Sequence, residues 1–303
     1  MTVLEATALG KRYRSDWALE ECSLVVPSGR IVALVGPNGA GKTTLVHMAV
    51  GLALPTTGGI AVLDGLIPGS PEALARIAFV AQDAPLHHHL SVRAMIEVTE
   101  ALNPGLDVEQ AKARLDALRI PPERKIGKLS GGQQSQLALT LALARHPTLL
   151  VLDEPLARLD PLARHDFMAQ VMASAMEESI SVLFSSHVVS ELERVADYLI
   201  VLGHGHVQLS GDIEDLLTEH AVLSGPVEDL DRVHEHAAVV HAETGGRQAQ
   251  LVVRLRDPRA DLPGWERASI SLEELVLAYL REPDVVAHAG PLRIAANRAE
   301  ARS

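Results

Sequence analysis

The sequence is poor in aromatic residues, which make up 3% of its 303 positions. Its core must therefore be packed with aliphatic side chains. It holds a single cysteine, Cys22, which excludes an intrachain disulfide and a cysteine-rich metal site and reads as a small buried hydrophobe in a strand. A basic excess is missing too. The formal net charge of −12 is the opposite of what a general nucleic-acid binder carries, so no nucleic-acid partner is expected. No stretch approaches the ~18–20 uninterrupted apolar residues that span a bilayer. The opening MTVLEATALGKRY has no basic start followed by an apolar run, so no secretory leader is expected there. The expectation is a cytoplasmic chain that meets a membrane only through a partner. What is present is length for one large domain with a smaller appendage, and an apolar fraction of 47% that can build a core.

The most informative stretch is GPNGAGKT, residues 36–43. The aliphatic run RIVALV before it reads as a fully buried parallel strand, and TTLVHMAVGL after it has helical length and composition. In the order strand, glycine loop, helix, Gly36, Gly39 and Gly41 let the backbone curl so that successive N–H groups form an anion-binding nest. The positive end of the helix adds attraction for phosphate oxygens. Lys42 supplies a point charge for the outer phosphates and Thr43 a hydroxyl for magnesium. Nucleoside triphosphate binding is the starting expectation.

Along the rest of the chain, residues 2–8 and 18–26 read as strands around a turn with Tyr13 and Trp17, and VVPSGRI as a hairpin-like link into the next strand. GGIAVLDG and RIAFVAQD read as short strands separated by the linker IPGSPEA. From about 83 to 145 the segments MIEVTEAL, VEQAKARLDALRI and QQSQLALTLALAR predict a helical insertion. A strand TLLVLD, a helix over about 162–178, a strand SVLFSS, a helix from about Val188 and a hairpin YLIVLGHGHVQLSG follow. Strands alternating with helices predict an α/β architecture with a largely parallel sheet. The composition shifts around Ser224-Gly225-Pro226. Beyond it lie QAQLVVRLRD (strand), ASIS (strand) and LEELVLAYLRE (helix), then an Ala/Arg-rich tail expected to fray.

Two further motifs choose among phosphate-loop proteins. LLVLDEP, residues 149–155, is a buried strand ending in Asp153, a carboxylate placed at the carboxyl edge of the sheet to hold magnesium directly or through water. Glu154, pointing elsewhere, is placed to orient or deprotonate an attacking water. LSGGQ, residues 129–133, opens a helix: Ser130 fits an N-cap, and Gly131 and Gly132 let a phosphate approach the helix start. This is a second anion site.

With GPNGAGKT, LSGGQ and LLVLDEP in this order, the chain resembles the ATP-binding subunits of ABC transporters over about residues 2–215. The resemblance implies a P-loop NTPase core with an antiparallel β subdomain and a helical signature subdomain at about 83–145. Residues 1–219 would form the ATP-binding domain, whereas 220–303, beyond the resemblance and without a recognised chemical motif, are expected from their own strand and helix patterns to form a small α+β accessory domain. The resemblance also implies roles for single residues. Gln82 in FVAQD looks like the Q-loop glutamine, Asp160 in RLDP the D-loop aspartate, His187 in FSSH the switch histidine, and Tyr13 the aromatic that stacks on adenine. Gly36, Asn38, Gly39, Ala40, Gly41, Lys42, Thr43 and Thr44 of one subunit would hold ATP. Ser130, Gly131, Gly132 and Gln133 of a second subunit, paired head to tail as a homodimer or heterodimer, would cover it. Magnesium would sit on Thr43, Gln82 and Asp153, with Glu154 activating water, His187 orienting the γ-phosphate and Asp160 communicating across the interface.

The sequence departs from the family at Gln134-Ser135-Gln136, where basic residues are usual, and at Leu156-Ala157-Arg158, where a threonine-led spacer is usual. Adjacent His87, His88 and His89 do not converge on one ion and read as a solvated or partner-facing loop. The partner implied is a separate integral membrane subunit. The resemblance is nearest to ABC-2-type exporter ATPases, with an importer ATPase as the alternative. From another class, a soluble ABC protein acting on ribosomes or DNA is a further alternative, although the ribosome-associated group generally carries two cassettes in one chain and the DNA-repair group long coiled coils before the signature, features these 303 residues do not show. A kinase or GTPase would leave LSGGQ idle and lacks the guanine-reading NKxD.

Overall fold

A computed structural model describes residues 1–83, 86–157, 159–189, 192–258 and 262–281. The tail expected to fray lies outside these residues, as does Arg158. Packing divides the chain into two compact units, residues 1–216 and 217–303.

The first unit opens with β1 (Thr2–Tyr13) and β2 (Asp16–Pro27), an antiparallel pair that runs longer than its apolar pattern suggests and turns at Arg14 and Ser15. Then come β3 (Ile31–Val35), α1 (Lys42–Ala49) and β4 (Thr57–Val62). Strands β2, β1 and β4, in that order, form one three-stranded antiparallel sheet, whereas β3 belongs to another. The expected hairpin-like link at Ser28-Gly29 is thus a crossing between sheets. Next are α2 (Pro71–Arg76) and β5 (Ile77–Val80). The segment expected as linker is a short helix, started by Ser70 as N-cap and Pro71 in its first turn.

The helical insertion contains α3 (Val92–Leu102), α4 (Val108–Ala117) and α5 (Gly131–Leu143). Ser91 and Asp107 cap the first two, each accepting a backbone N–H three residues on. Val92, Ile96, Ala111, Leu115, Leu137 and Leu141 close a small core of their own. The chain returns through β6 (Leu149–Asp153), α6 (Pro161–Glu178), β7 (Ser181–Ser186), β8 (Tyr198–Gly203) and β9 (His206–Asp212). The helix expected from about Val188 does not form among the described residues, where 192–195 are turns. The main sheet has the order β5-β6-β7-β3-β8-β9, parallel throughout except for β9. His204 (φ 50°) and Gly205 (φ 79°) make the β8–β9 turn, both left-handed as a two-residue hairpin loop requires. Cys22 is buried as expected, and burial pushes its thiol up to about 11.

The division between units falls within α7 (Ile213–Glu219). The second unit contains β10 (His220–Pro226), α8 (Leu230–His236), β11 (Ala237–Gly245), β12 (Gln248–Leu255), β13 (Glu266–Ala268) and α9 (Leu272–Arg281). Its strands form an antiparallel sheet in the order β11-β12-β10-β13. Leu223, Leu251 and Val253 pack one face against Val233 of α8 and Trp265. From the other face His220 reaches Tyr279 of α9, Nε2 to hydroxyl 2.8 Å, and burial pushes that phenol up to about 12. The strand expected at ASIS lies slightly upstream, and β10, α8 and β11 had not been expected.

Candidate functional site

Strand β3 is buried and lies between β7 and β8, so the chain leaves the middle of the sheet at Val35. A Cβ on Gly36 would stand 2.2 Å from the Leu202 carbonyl oxygen on β8, so no side chain fits. Gly41 combines φ 104° with a Cβ position 2.5 Å from the Ala18 carbonyl oxygen, a pairing only glycine tolerates. Gly41 is also the N-cap of α1 and gives no side-chain cap. The first-turn N–H groups and the positive helix end therefore open into the loop.

Lys42 starts α1 and is only 5% exposed. Its ammonium donates to the carbonyls of Gly36 (2.8 Å) and Pro37 (3.2 Å) and lies 3.3 Å from Glu154 Oε1. The loop is thus tied around its own lysine.

Strand β6 brings the acids. Leu149 and Val151 pack on the face where Leu45, Val46 and Met48 of α1 lie, and strand alternation sends Asp153 toward that face as well. Asp153 is 2% exposed, with Oδ1 accepting a hydrogen bond of 2.6 Å from Ser185 Oγ on β7. Glu154 leaves the strand at φ 44°, a left-handed conformation costing a non-glycine residue about 1–2 kcal/mol. Its N–H donates to Ser185 Oγ (2.9 Å) and to the Ser185 carbonyl (3.2 Å). The two neighbouring acids are thereby parted: one carboxylate is held inward by a hydroxyl, and the other spans Lys42 and His187, whose Nδ1 lies 2.7 Å from Glu154 Oε2.

The structure therefore gathers Lys42, Asp153, Glu154 and His187, and adds Ser185, which sequence reasoning missed. Its signal was a hydroxyl pair, Ser185-Ser186, at the end of an otherwise apolar strand. Gln82 is exposed in the turn after β5, and since Val80 pairs with Leu152 it leaves the same sheet edge as Asp153. Thr43, Gln82 and Asp153 offer only oxygen donors, the chemistry magnesium takes. Among the described residues no cluster of three or more His, Cys, Asp or Glu could hold a metal. His87, His88 and His89 are exposed and line an open apolar groove of about 590 Å³ with Leu86, Leu90 and Val98.

Other expected residues stand apart. Ser130 caps α5 in a reciprocal capping box: Gln133 N–H donates to Ser130 Oγ (3.2 Å) and Ser130 N–H to Gln133 Oε1 (3.1 Å). Among the described residues, no hydrogen bond or ion pair joins this segment to the phosphate loop. Asp160 caps α6, its Oδ1 accepting from Ala163 N–H at 3.0 Å. Tyr13 is half exposed at the end of β1, with Lys11 Nζ 5.1 Å from its ring centroid and fixed to the Leu54 carbonyl at 2.7 Å.

The ABC transporter family profile matches residues 19–157, which contain the phosphate loop, LSGGQ and the β6 acids. The lipopolysaccharide export system ATP-binding protein of Haemophilus influenzae is 33% identical over 73% of this chain and 95% of its own length. The chain belongs to the ATP-binding subunits of ABC transporters. A thiamine import ATP-binding protein from Shigella flexneri is also 33% identical, over 67% of this chain and 89% of its own. The solved structure of an ATP-binding subunit of an ABC transporter superposes with a TM-score of 0.64 at 26% identity, covering 71% of this chain and 92% of that one. This ABC subunit is accordingly an ATP-binding ATPase. Among the described residues no helix is long and apolar enough to cross a membrane, and subunits of this family work with separate membrane subunits.

Proposed function

We propose that this ATPase powers export through a separate membrane subunit, with the phosphate loop and the β6 acids as one half of a composite site. The observation that carries the chemistry is Glu154 held between Lys42 and His187. A carboxylate so placed is a base at the point where the outer phosphate of a loop-bound triphosphate would lie. Phosphate oxygens attract the same ammonium that Glu154 holds, so nucleotide binding loosens one of the two contacts on the carboxylate and frees it to accept a proton from water. Residues 36 and 38–44 bind the triphosphate, Tyr13 stacks on the base, and Thr43, Gln82 and Asp153 hold magnesium, which would neutralise phosphate charge. His187 steers the γ-phosphate.

The second half is Ser130, Gly131, Gly132 and Gln133, which no described contact joins to the loop of its own chain. A partner cassette presenting these residues completes the site, so ATP joins two subunits, and Asp160 relays between them. Both half-sites occur in one chain, so a homodimer suffices, and a heterodimer with a related cassette uses the same contacts. Residues 1–219 are assigned to the ATP-binding domain and 220–303 to an accessory domain. The assembly lies on the cytoplasmic face of the membrane, held by the membrane subunit. Export is supported by the likeness to a lipopolysaccharide-export subunit that this chain covers almost fully. The second reading, import, is supported by an equally identical thiamine-import relative.

Capture of the membrane subunit by the tagged chain, followed by transport in vesicles of known orientation, decides between them. ATP-dependent movement away from the cassette side supports export, and movement toward it supports import. Capture of ribosomes instead of a membrane protein would refute both.

A further inference from the structure

Ser185 is wholly buried on β7 and lies directly opposite Asp153 in the parallel register of β6 and β7. A buried hydroxyl needs hydrogen-bond partners, and this one finds both of its partners in the two consecutive acids of the neighbouring strand. It donates to Asp153 Oδ1 at 2.6 Å and accepts from Glu154 N–H at 2.9 Å. A serine hydroxyl has one hydrogen to give, and here it goes to the carboxylate.

We propose that Ser185 is a positioning residue of the ATPase site, setting the rotation of the Asp153 carboxylate and holding Glu154 in its left-handed turn from a single oxygen. This rests on the roles proposed above for Asp153 and Glu154. With Oδ1 engaged by Ser185, Oδ2 is the oxygen that Asp153 would have left for magnesium or its water. With its N–H held by the hydroxyl, Glu154 keeps φ 44° and its carboxylate stays between Lys42 and His187. Removing the oxygen leaves the buried Asp153 without this donor. It also leaves the Glu154 N–H only the longer bond to the Ser185 carbonyl, at 3.2 Å. Both acids then lose orientation together, although neither has been altered.

The test compares Ser185→Ala and Ser185→Thr with the unaltered full-length chain. Misplacement of reacting groups predicts that Ser185→Ala lowers kcat by about 10-fold or more, with KM for ATP changed less than about 2-fold. Manganese binding beside a non-hydrolysable ATP analogue, followed by electron paramagnetic resonance, should show a half-saturation raised about 3-fold or more through the lost orientation of Asp153. Ser185→Thr keeps the hydroxyl and should recover most of both. Wild-type kcat and manganese binding in Ser185→Ala would overturn the proposal. So would a loss that threonine does not rescue and that follows a lowered melting temperature, since that is packing alone. If the alanine variant does not fold, Ser185→Cys replaces it: its weaker donor must give the same pattern at smaller size, and wild-type values refute the idea. Asp153→Asn and Glu154→Gln are measured alongside. Full turnover in these would sink the underlying roles, whereas their failure beside a normal Ser185→Ala would sink only the positioning.

Discussion

Glu154→Gln separates chemistry from binding more sharply than any other single change at this site. The amide has the shape of the carboxylate it replaces, so the left-handed turn and the two hydrogen bonds from the Glu154 N–H to Ser185 should persist. What disappears is the proposed base, 2.7 Å from His187, and with it the negative charge 3.3 Å from Lys42. A positioned general base contributes about 10²–10⁴-fold, or about 3–5 kcal/mol of barrier. Turnover measured by phosphate release should fall by that factor. Affinity should move the other way. In the wild type the carboxylate would compete with phosphate oxygens for the ammonium of Lys42, a residue only 5% exposed, and a neutral amide competes less. Fluorescent-nucleotide titration should give a Kd equal to the wild type or tighter by up to about 10-fold, which is ~1.4 kcal/mol. With hydrolysis blocked, ATP should accumulate a dimer visible by light scattering. Turnover within about 3-fold of wild type would refute the base assignment, given the contribution expected of such a group. Loss of nucleotide binding together with turnover would show that Glu154 maintains the loop instead of the chemistry.

Lys42→Ala should weaken nucleotide binding by at least about 10-fold, since the lost contact is charge-assisted, and unchanged affinity in an equilibrium titration contradicts the reading of the loop. Gly36→Ala places a methyl 2.2 Å from the Leu202 carbonyl oxygen; overpacking of this kind costs about 1–3 kcal/mol, so the melting temperature should drop and ATP affinity with it. An unshifted melting temperature would mean the loop can move aside. His146 lies 2.9 Å from Glu178 and 3.6 Å from Asp107, and the hydrogen bond to Glu178, followed by attraction to both acids, raises its pKa above the usual 6.5. Its contribution is complete below the unfolded value and disappears as pH rises through the folded one. Asp107 is lowered, first by the N–H of Gln110, so its contribution disappears as pH falls through its own folded value. The melting-temperature difference between wild type and His146→Gln should therefore be largest in mildly acidic buffer and shrink toward alkaline pH; a flat difference would refute the clasp.

The phosphate-loop strand, the helices of the insertion and the β8–β9 hairpin were legible because each carries a local signal. These signals are an aliphatic run closed by glycines, helix formers at length, and Gly-His-Gly between alternating residues. Where punctuation residues serve a helix start or a tertiary contact, the expected element differs from the observed one. Ser70-Pro71 looked like a linker but is the N-cap and first turn of α2. Ser224-Gly225-Pro226 looked like a break but closes β10, where a Cβ on Gly225 would fall 2.5 Å from Trp265 Cδ2, so the glycine makes room for an aromatic 40 residues on. Lys42, Thr43, Asp153, Glu154 and Ser130 were expected from the motifs themselves, and Gln82, Asp160, His187 and Tyr13 from the resemblance. Ser185 was not expected, because its partners come from another strand and only the β6–β7 register reveals them.

Ser130 and Asp160 are each occupied as a helix cap. A cap takes little of either group's capacity. Ser130 accepts the Gln133 N–H on one lone pair and keeps its O–H to donate. Asp160 uses Oδ1 on Ala163 and keeps Oδ2. The cap fixes the side chain's rotamer, so the remaining hydrogen-bonding site points in a set direction at no further entropic cost when a second surface arrives. Structural and functional roles are therefore compatible at both positions, and the cap is what makes the proposed contact preorganised. Replacing Ser130 with Ala should then weaken the ATP-dependent dimer by more than α5 capping alone can explain. Ser130→Asp supplies the comparison: it restores a cap of about 1 kcal/mol but sets a negative charge against the partner's phosphate. A dimer rescued by Ser130→Asp would mean the cap is all that Ser130 provides.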